Sequence, residues 1–513
     1  MIGYVSRRLL QAVLVLFAAS YLVYVLAAYA GDPLEDLRVS RDPNRDALIA
    51  RRTDLLDLDV PPIIRYFTWV RGALGCLMPG LTSCDLGSNI QGFEVTGLLA
   101  KAMTQTIQLV TAATVLAIVV GIGLGIISAL RQYSPLDYGV TFMAFLFFSL
   151  PVFWIAVLLK EFGAIRFNDF LVDPRFSPAV LVVSGLAVGG FAWFASYGER
   201  PKRAILTAVA VVLTVGAMIG IGESGWLLRP TLGVPGILVM GGVAAFALTF
   251  LAAGLRNRQA LYAGGSVVLV GVLLYFPLQP LLNQMTWPLL AGLTIATIAV
   301  AAAIGWAFGG YDRAQVIRVA VLSALATGVL IVVDRFMQSW PSYVDDDRIR
   351  GRPISTVGSR TPGFNEDWWL TGIDSITHLI LPTVALTLVS LAGYSRYSRA
   401  SMLEVMNQDY IRTARAKGAS ERSVVMRHAF RNALIPLATL IAFDIGGLIG
   451  GAVITENVFA FTGMGQLFTQ ALRVVDLNPI MGVFLVTGLV AMVFNLVADL
   501  LYAVLDPRVR VKT

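Results

Sequence analysis

About twelve apolar runs, most close to 20 residues long, divide this chain of 513 residues and decide its fold class before any motif is read. A run of that length crosses a bilayer core of about 30 Å as a helix. In lipid no water satisfies an exposed N–H or C=O, so a spanning segment must bond its own backbone. The expected architecture is an all-α integral membrane protein. Composition agrees, with 57% of residues hydrophobic and 14% charged, where soluble domains carry about a quarter charged. The formal charge of +7 lies mostly in short connections between apolar runs. That placement orients a chain in a lipid bilayer and argues against a nucleic-acid partner.

The first run, 9–30, follows Arg7 and Arg8. Its Ala28-Tyr29-Ala30 end has the look of a signal-peptidase site, but the run is too long for the apolar core of a signal peptide. A retained first span is expected, and 1–97 is read as that span plus a polar outer loop. Cys76 and Cys84 stand in this loop. In an oxidising exterior they can close a short disulfide; free thiols are the other reading. Zinc is not expected, because His378 and His428 lie in unrelated segments and no C-x2-C pair exists. Spans two and three fall within 98–162. The second, 104–130, carries Gly121, Gly123 and Gly125, which allow close helix approach. The third, 139–159, contains Ser149-Leu150-Pro151-Val152-Phe153-Trp154. Pro151 takes a donor out of the backbone ladder in mid-membrane, tolerable only where neighbours satisfy the freed carbonyl.

A basic island, 409–436, separates two later runs. Leu403, Met406, Tyr410 and Ala414 recur at helical spacing, so one helix is expected to enter it. Gly418 falls where a helix C-cap wants a residue tolerant of positive φ. Ser420 can N-cap a second helix, with Glu421 in its first turn. That helix carries Arg422, Arg427, His428 and Arg431 and is expected to end before Pro436. A helix, a turn and a short positive helix make a shape that a soluble partner can grip. A topology anchor needs only the charge.

These residues resemble the cytoplasmic loop of ATP-binding-cassette (ABC) importer membrane subunits, in the B-type permease form of oligopeptide, dipeptide and nickel transporters. Ala414-x3-Gly418 matches the core of the general loop signature, and DYIRTARAKG…RHAFRNALIP matches the peptide-permease variant. Arg412 replaces the Glu of the general signature and the gap from Gly418 to Pro436 is longer, as is usual in the peptide branch. Gly31-Asp32-Pro33, the S-x-P-x-F-W at Ser149–Trp154, His378-Leu-Ile-Leu-Pro382, Phe459-x3-Gly463-x-Gly465 and the end Asn495-x3-Asp499-x2-Tyr502-x3-Asp506-Pro507-Arg508 fit the same family. The resemblance covers about 1–160 and 364–510. It implies a type I permease core of six spans, with 378–513 holding spans four to six and the coupling loop at 399–435. It implies that Ala414, Gly418, Ser420, Glu421, Arg422, Arg427 and His428 serve ATPase coupling. The implied partners are a second, C-type permease subunit, two ABC ATPase subunits and an extracytoplasmic substrate-binding protein. The chain itself is then no enzyme and binds no cofactor, ATP and Mg being used by the ATPases. The implied location is a bacterial plasma membrane, with both termini cytoplasmic, and the implied cargo is di- or oligopeptides.

Between the two matched parts lies an insertion. Six apolar runs, near 177–197, 204–222, 232–254, 260–279, 286–309 and 315–333, give an inserted block at 163–340, followed by an outer loop at 341–377. Arg200, Lys202 and Arg203, then Arg256 and Arg258, then Arg313 and Arg318 mark every second connection, as alternating sides require. The centres of these runs carry no charge, so the block is read as accessory and facing lipid or a partner.

Three acids fall within core spans: Asp444, Glu456 and Asp499. Glu456 and Asp499 lie near span ends and are read as structurally paired. Asp444, deep in span five, either lines a translocation path, together with Pro151, Phe153 and Trp154, or makes a buried packing hydrogen bond. No lysine follows a glycine, so the chain has no phosphate loop of its own. A twelve-span secondary transporter driven by an ion gradient is the competing class. Such a carrier shows two similar halves, whereas here the spans with motifs split three and three around the charge-free block.

Overall fold

The computed structural model describes residues 2–77, 83–196, 199–254 and 256–505. Among these, ten helices are long and apolar enough to cross a membrane, or eleven if the bent pair Pro135–Ser149 and Val152–Val172 is one span. Pro178–Phe194 is apolar but shorter. The expected third run is therefore not a straight span. Pro151 supplies no N–H, the ladder opens at Leu150, and the two arms meet at 103°. The chain divides into two compact units.

The first unit comprises Met1–Gly163, Thr356–Ser359 and His378–Thr513. Its Leu477–Leu505 helix packs against the Ile2–Tyr29, Val95–Leu130 and Phe430–Gly451 helices. Leu16 reaches over Gly488, Val95 over Gly482, and Phe494 beside Gly446. The segment after the first span is not a plain loop: it forms helices Glu35–Val39, Arg45–Leu55 and Pro62–Leu77. Tyr66 anchors the last of these on the first span, its ring edge-on to Tyr21 and Tyr24 and its hydroxyl 2.8 Å from Ser20 Oγ. Cys76 and Cys84 are joined by a disulfide.

Asp476, just before the last span, ties the 87–90 turn to the same unit. Its Oδ2 accepts from Ile90 N at 2.9 Å, while Oδ1 is buried without a hydrogen-bond partner. Beside it, Asn478 Nδ2 donates to Ser88 O at 2.7 Å. Burial pushes the Asp476 carboxyl up to about 6, against the Ile90 hydrogen bond and the positive charge of Arg52. Because burial holds the native value above the ordinary one, the stability that goes with burying the neutral carboxyl is whole below the ordinary carboxylate range and is lost as pH rises through about 6. Protection of the Ile90 amide from hydrogen exchange, corrected for intrinsic rate, should thus fall between pH of about 4 and about 7. Asp476→Asn should flatten that dependence; an unchanged slope in the variant would assign the titration to another group.

The second unit comprises Ala164–Ser355 and Arg360–Thr377. Its hub is the Arg313–Val344 helix, against which the Gly233–Ala252, Arg258–Asn283 and Trp287–Phe308 helices pack. Ala260, Ala263, Ala301, Ala320 and Ala324 make much of one shared core. These small side chains bring backbones together: a Cβ on Gly305 would stand 2.7 Å from Ile317 Cα. The Pro178–Ala195 and Arg200–Glu223 helices pair with each other, and the latter buries no residue. Arg203 closes their turn, stacking 4.6 Å over Trp193 and donating to Trp193 O.

Two helix boundaries differ from those that hydropathy predicts. The helix expected to end near 333 runs on to Val344, and the helix expected to start at His378 starts at Trp368. Hydropathy falls at Asp334, but Asp334 turns inward. It is fully buried and accepts from Thr231 Oγ1, Leu232 N, Gly233 N, Tyr275 OH and Gln338 Nε2 at 2.6 to 3.0 Å. The block, whose run centres carry no charge, therefore has a buried carboxylate just past its last run that caps the Gly233–Ala252 helix from another element. In the shortened loop, Arg348 bonds Asp346 and Glu366 and stacks 4.6 Å over Phe364.

Candidate functional site

The basic island is built on a buried apolar base. Ile411, Val424, Val425 and Ala429 pack with Met402 and with Ala129 at the end of the Val95–Leu130 helix. Leu403, Met406 and Ala414 lean on the same cluster. The single entering helix expected from their spacing is nonetheless broken. The Trp368–Met406 helix stops, Gln408 takes an extended conformation as N-cap, and a separate Asp409–Ala416 helix follows. The Asn407 side chain bonds Leu403 O at 3.0 Å, competing with the helical ladder. The spacing thus tracked burial rather than continuity; Tyr410, on the exposed side, instead accepts from Asn432 Nδ2 at 3.0 Å.

Gly418 lies at φ +79°, where it and Ala419 donate to the last-turn carbonyls of Arg415 and Ala414 at 2.9 and 3.2 Å. Ser420 then N-caps, its Oγ accepting from Ser423 N at 3.4 Å. Glu421 pairs back across the turn with Arg415 at 2.7 and 3.2 Å, and the guanidinium holds its carboxyl below the usual range. The second helix does not end before Pro436. It widens into a π turn over Val424–Ala429 and continues as Phe430–Gly451 with Pro436 inside. A proline removes one donor and strains one turn, so in a long apolar helix it makes an irregularity rather than a stop. Arg412, Arg415, Lys417, Arg427 and Arg431 are exposed, Met426 is 58% exposed, and His428 is half-buried. The side chain of Arg422, like residues 506–508 of the C-terminal match, lies outside the described residues.

Next to the island, one carboxylate joins three helices. Asp137, on the first turn of Pro135–Ser149, is 2% exposed. Arg399 grips it with Nε on Oδ1 at 2.8 Å and Nη2 on Oδ2 at 2.9 Å. Ser128 Oγ donates to Oδ1, and Tyr133 N donates to Oδ2 at 3.0 Å. Three residues before Arg399, Arg396 lies 4.0 Å over the Phe148 ring at the other end of the same short helix. The Val95–Leu130 and Trp368–Met406 backbones touch here: a Cβ on Gly125 would stand 2.5 Å from Ser395 O. Sequence reading missed this cluster, although Ser134-Pro135-x-Asp137 is a helix-start signature and Ser134 Oγ does accept from Asp137 N.

The other singled-out residues do not converge. Pro151 stands at the bend of the third span, and Phe153 and Trp154 point outward, 50% and 46% exposed. Asp444 sits on the Phe430–Gly451 helix beside the Tyr394 hydroxyl. Asp499 lies 3.5 Å from Arg8. Glu456 is fully buried and accepts from Thr106 Oγ1 at 2.7 Å and from Gly465 N and Gln466 N at 2.6 and 3.1 Å. A Cβ at Gly463 would collide with that carboxyl, which explains the small residues of the turn.

A family model described as the binding-protein-dependent transport system inner membrane component matches residues 121–511. The oligopeptide transport system permease protein OppB of Mycobacterium bovis is 43% identical over 155 residues, 30% of this chain and 48% of the relative. AppB of Bacillus subtilis, also named an oligopeptide transport system permease protein, is 46% identical over 136 residues, 26% of this chain and 43% of its own. The dipeptide transport system permease protein DppB of Escherichia coli K12 is 43% identical over 140 residues, 27% and 41% of the two chains. The matched stretch thus spans less than half the length of each relative. With the family model covering most of the chain, this multi-pass membrane protein belongs to the binding-protein-dependent transport system inner membrane components.

Proposed function

We propose that this chain is one permease subunit of an ABC importer of di- or oligopeptides and forms half of its translocation path. The carrying observation is the basic island. Its exposed cations stand on a buried base continuous with two spans, and a Gly418 turn aims them. That is the build needed for a soluble ATPase to push on membrane helices. The names of the relatives support the peptide class. In this reading both termini and the island face the cytoplasm. The partners are a C-type permease, two ATPases that use ATP and Mg, and a substrate-binding protein outside. This chain binds no cofactor. Asp444 belongs to the path wall, and the second unit is accessory.

Co-purification from native membranes tests the reading. Tagged chain should bring an ATPase pair and a second permease in fixed ratio. The reconstituted complex should hydrolyse ATP faster when peptide-loaded binding protein is added. A chain that purifies alone and takes up substrate on a proton gradient would be a secondary carrier instead.

A further inference from the structure

We propose that the Asp137–Arg399 pair is the positioning strut through which movement of the basic island reaches the first arm of the bent third span. The proposal rests on the importer reading.

Ser128 holds the Asp137 carboxylate, while the adjacent Ala129 packs into the island's apolar base. Arg399 holds the same carboxylate, while Met402, one helical turn on, is fully buried in that base. Ser398 Oγ donates to Ile122 O at 3.2 Å, and Gly125 brings the two helices into backbone contact between these points. Displacing the base therefore displaces Ala129 and Met402 together, and the carboxylate moves with them. Asp137 opens the Pro135–Ser149 arm, and Arg396 over Phe148 holds that arm's far end, next to the break before Pro151. Two arginines of one helix thus grip both ends of the arm.

The chemistry suits a strut. A guanidinium fork on a carboxylate fixes angle as well as distance, which a lysine point charge does not. Four donors on a carboxylate that is 2% exposed leave little freedom. Nothing here contacts a substrate, so these are positioning residues and not catalytic ones.

Single neutralisations leave a buried charge unpaired and destabilise for that reason alone. The test is therefore the double variant Asp137→Asn/Arg399→Gln, with Arg399→Lys beside it. In the reconstituted complex, substrate moved per ATP hydrolysed should fall about tenfold, the size of a typical coupling free energy between sites. ATPase association and basal hydrolysis should persist. Arg399→Lys should lose part of the ratio despite keeping the charge. A second measurement needs no ATPase: spin labels at Tyr138→Cys and Lys417→Cys, both exposed positions, should give a narrow distance distribution that broadens in the double variant. Wild-type transport per ATP, or an unbroadened distribution, overturns the strut. Wild-type chain that shows no coupling to any ATPase overturns the importer reading itself, and the wild-type control separates the two failures.

Discussion

Asp334→Ala is expected to lower the unfolding midpoint of the second unit by about 10 °C, from a loss of about 3–5 kcal/mol. The aspartate is fully buried, and five donors from three segments end on its two oxygens. Truncation removes the acceptor and keeps the donors. Leu232 N and Gly233 N then start a helix with no cap, and the Tyr275 hydroxyl loses its acceptor in an apolar setting. Asp334→Asn keeps one acceptor oxygen for the two amides but offers Gln338 a second donor, so it should fall between wild type and alanine. Trp369 is the natural reporter. It is fully buried in the cluster with Ile237, Tyr275 and Leu282, and its Nε1 donates to Leu282 O at 2.7 Å. Its fluorescence should shift red at a lower temperature in the variant. An unmoved midpoint would mean that water or relaxation satisfies the orphaned donors.

That residue also shows where sequence reading reaches its limit. Hydropathy located the spans, because each long apolar run had to be a helix in lipid. It put Asp334 outside, because a window average sees a charge and ends the span. It cannot see that Thr231 and Tyr275 arrive from elsewhere, and Gln338 from the next turn of the same helix, to satisfy the buried carboxylate. The same blindness hid Asp137, whose partner Arg399 is 262 positions away. Local chemistry was more legible. Gly418 at positive φ and Ser420 as N-cap were read from residue type and order, and both stand in the structure. What failed there was extent: Asn407 broke a helix that apolar spacing joined, and Pro436 did not break one that its ring argued against. Spacing reports which side chains share a core; it does not report where the backbone is continuous.

Gly418→Val should weaken association with the ATPase pair about tenfold, or about 1.4 kcal/mol, while leaving membrane insertion and the spans intact. The glycine is at φ +79°, and a Cβ built there meets nothing within 4 Å. Crowding at Cβ is thus excluded, and the expected penalty is the conformational one. An L-residue in this region costs about 1–2 kcal/mol, and a β-branched one more. The chain can shed that strain only by reopening the turn. Ser420 would then leave its cap on Ser423 N, and the Arg415–Glu421 pair across the turn would part. That pair is exposed and contributes little by itself, so the loss to be measured is aim rather than stability. Arg427 and Arg431 would keep their charges and point elsewhere. Gly418→Asn is the discriminating control, because asparagine tolerates the left-handed region and should retain near-wild-type association despite its larger side chain. Gly418→Ala should fall between them. Pull-down of the ATPase pair across a salt series measures all three, and an equal salt slope with a lower plateau would mark misaiming rather than lost charge. If valine binds as glycine does, the turn's conformation is not what presents this surface, and the basic island serves only to orient the chain in the membrane.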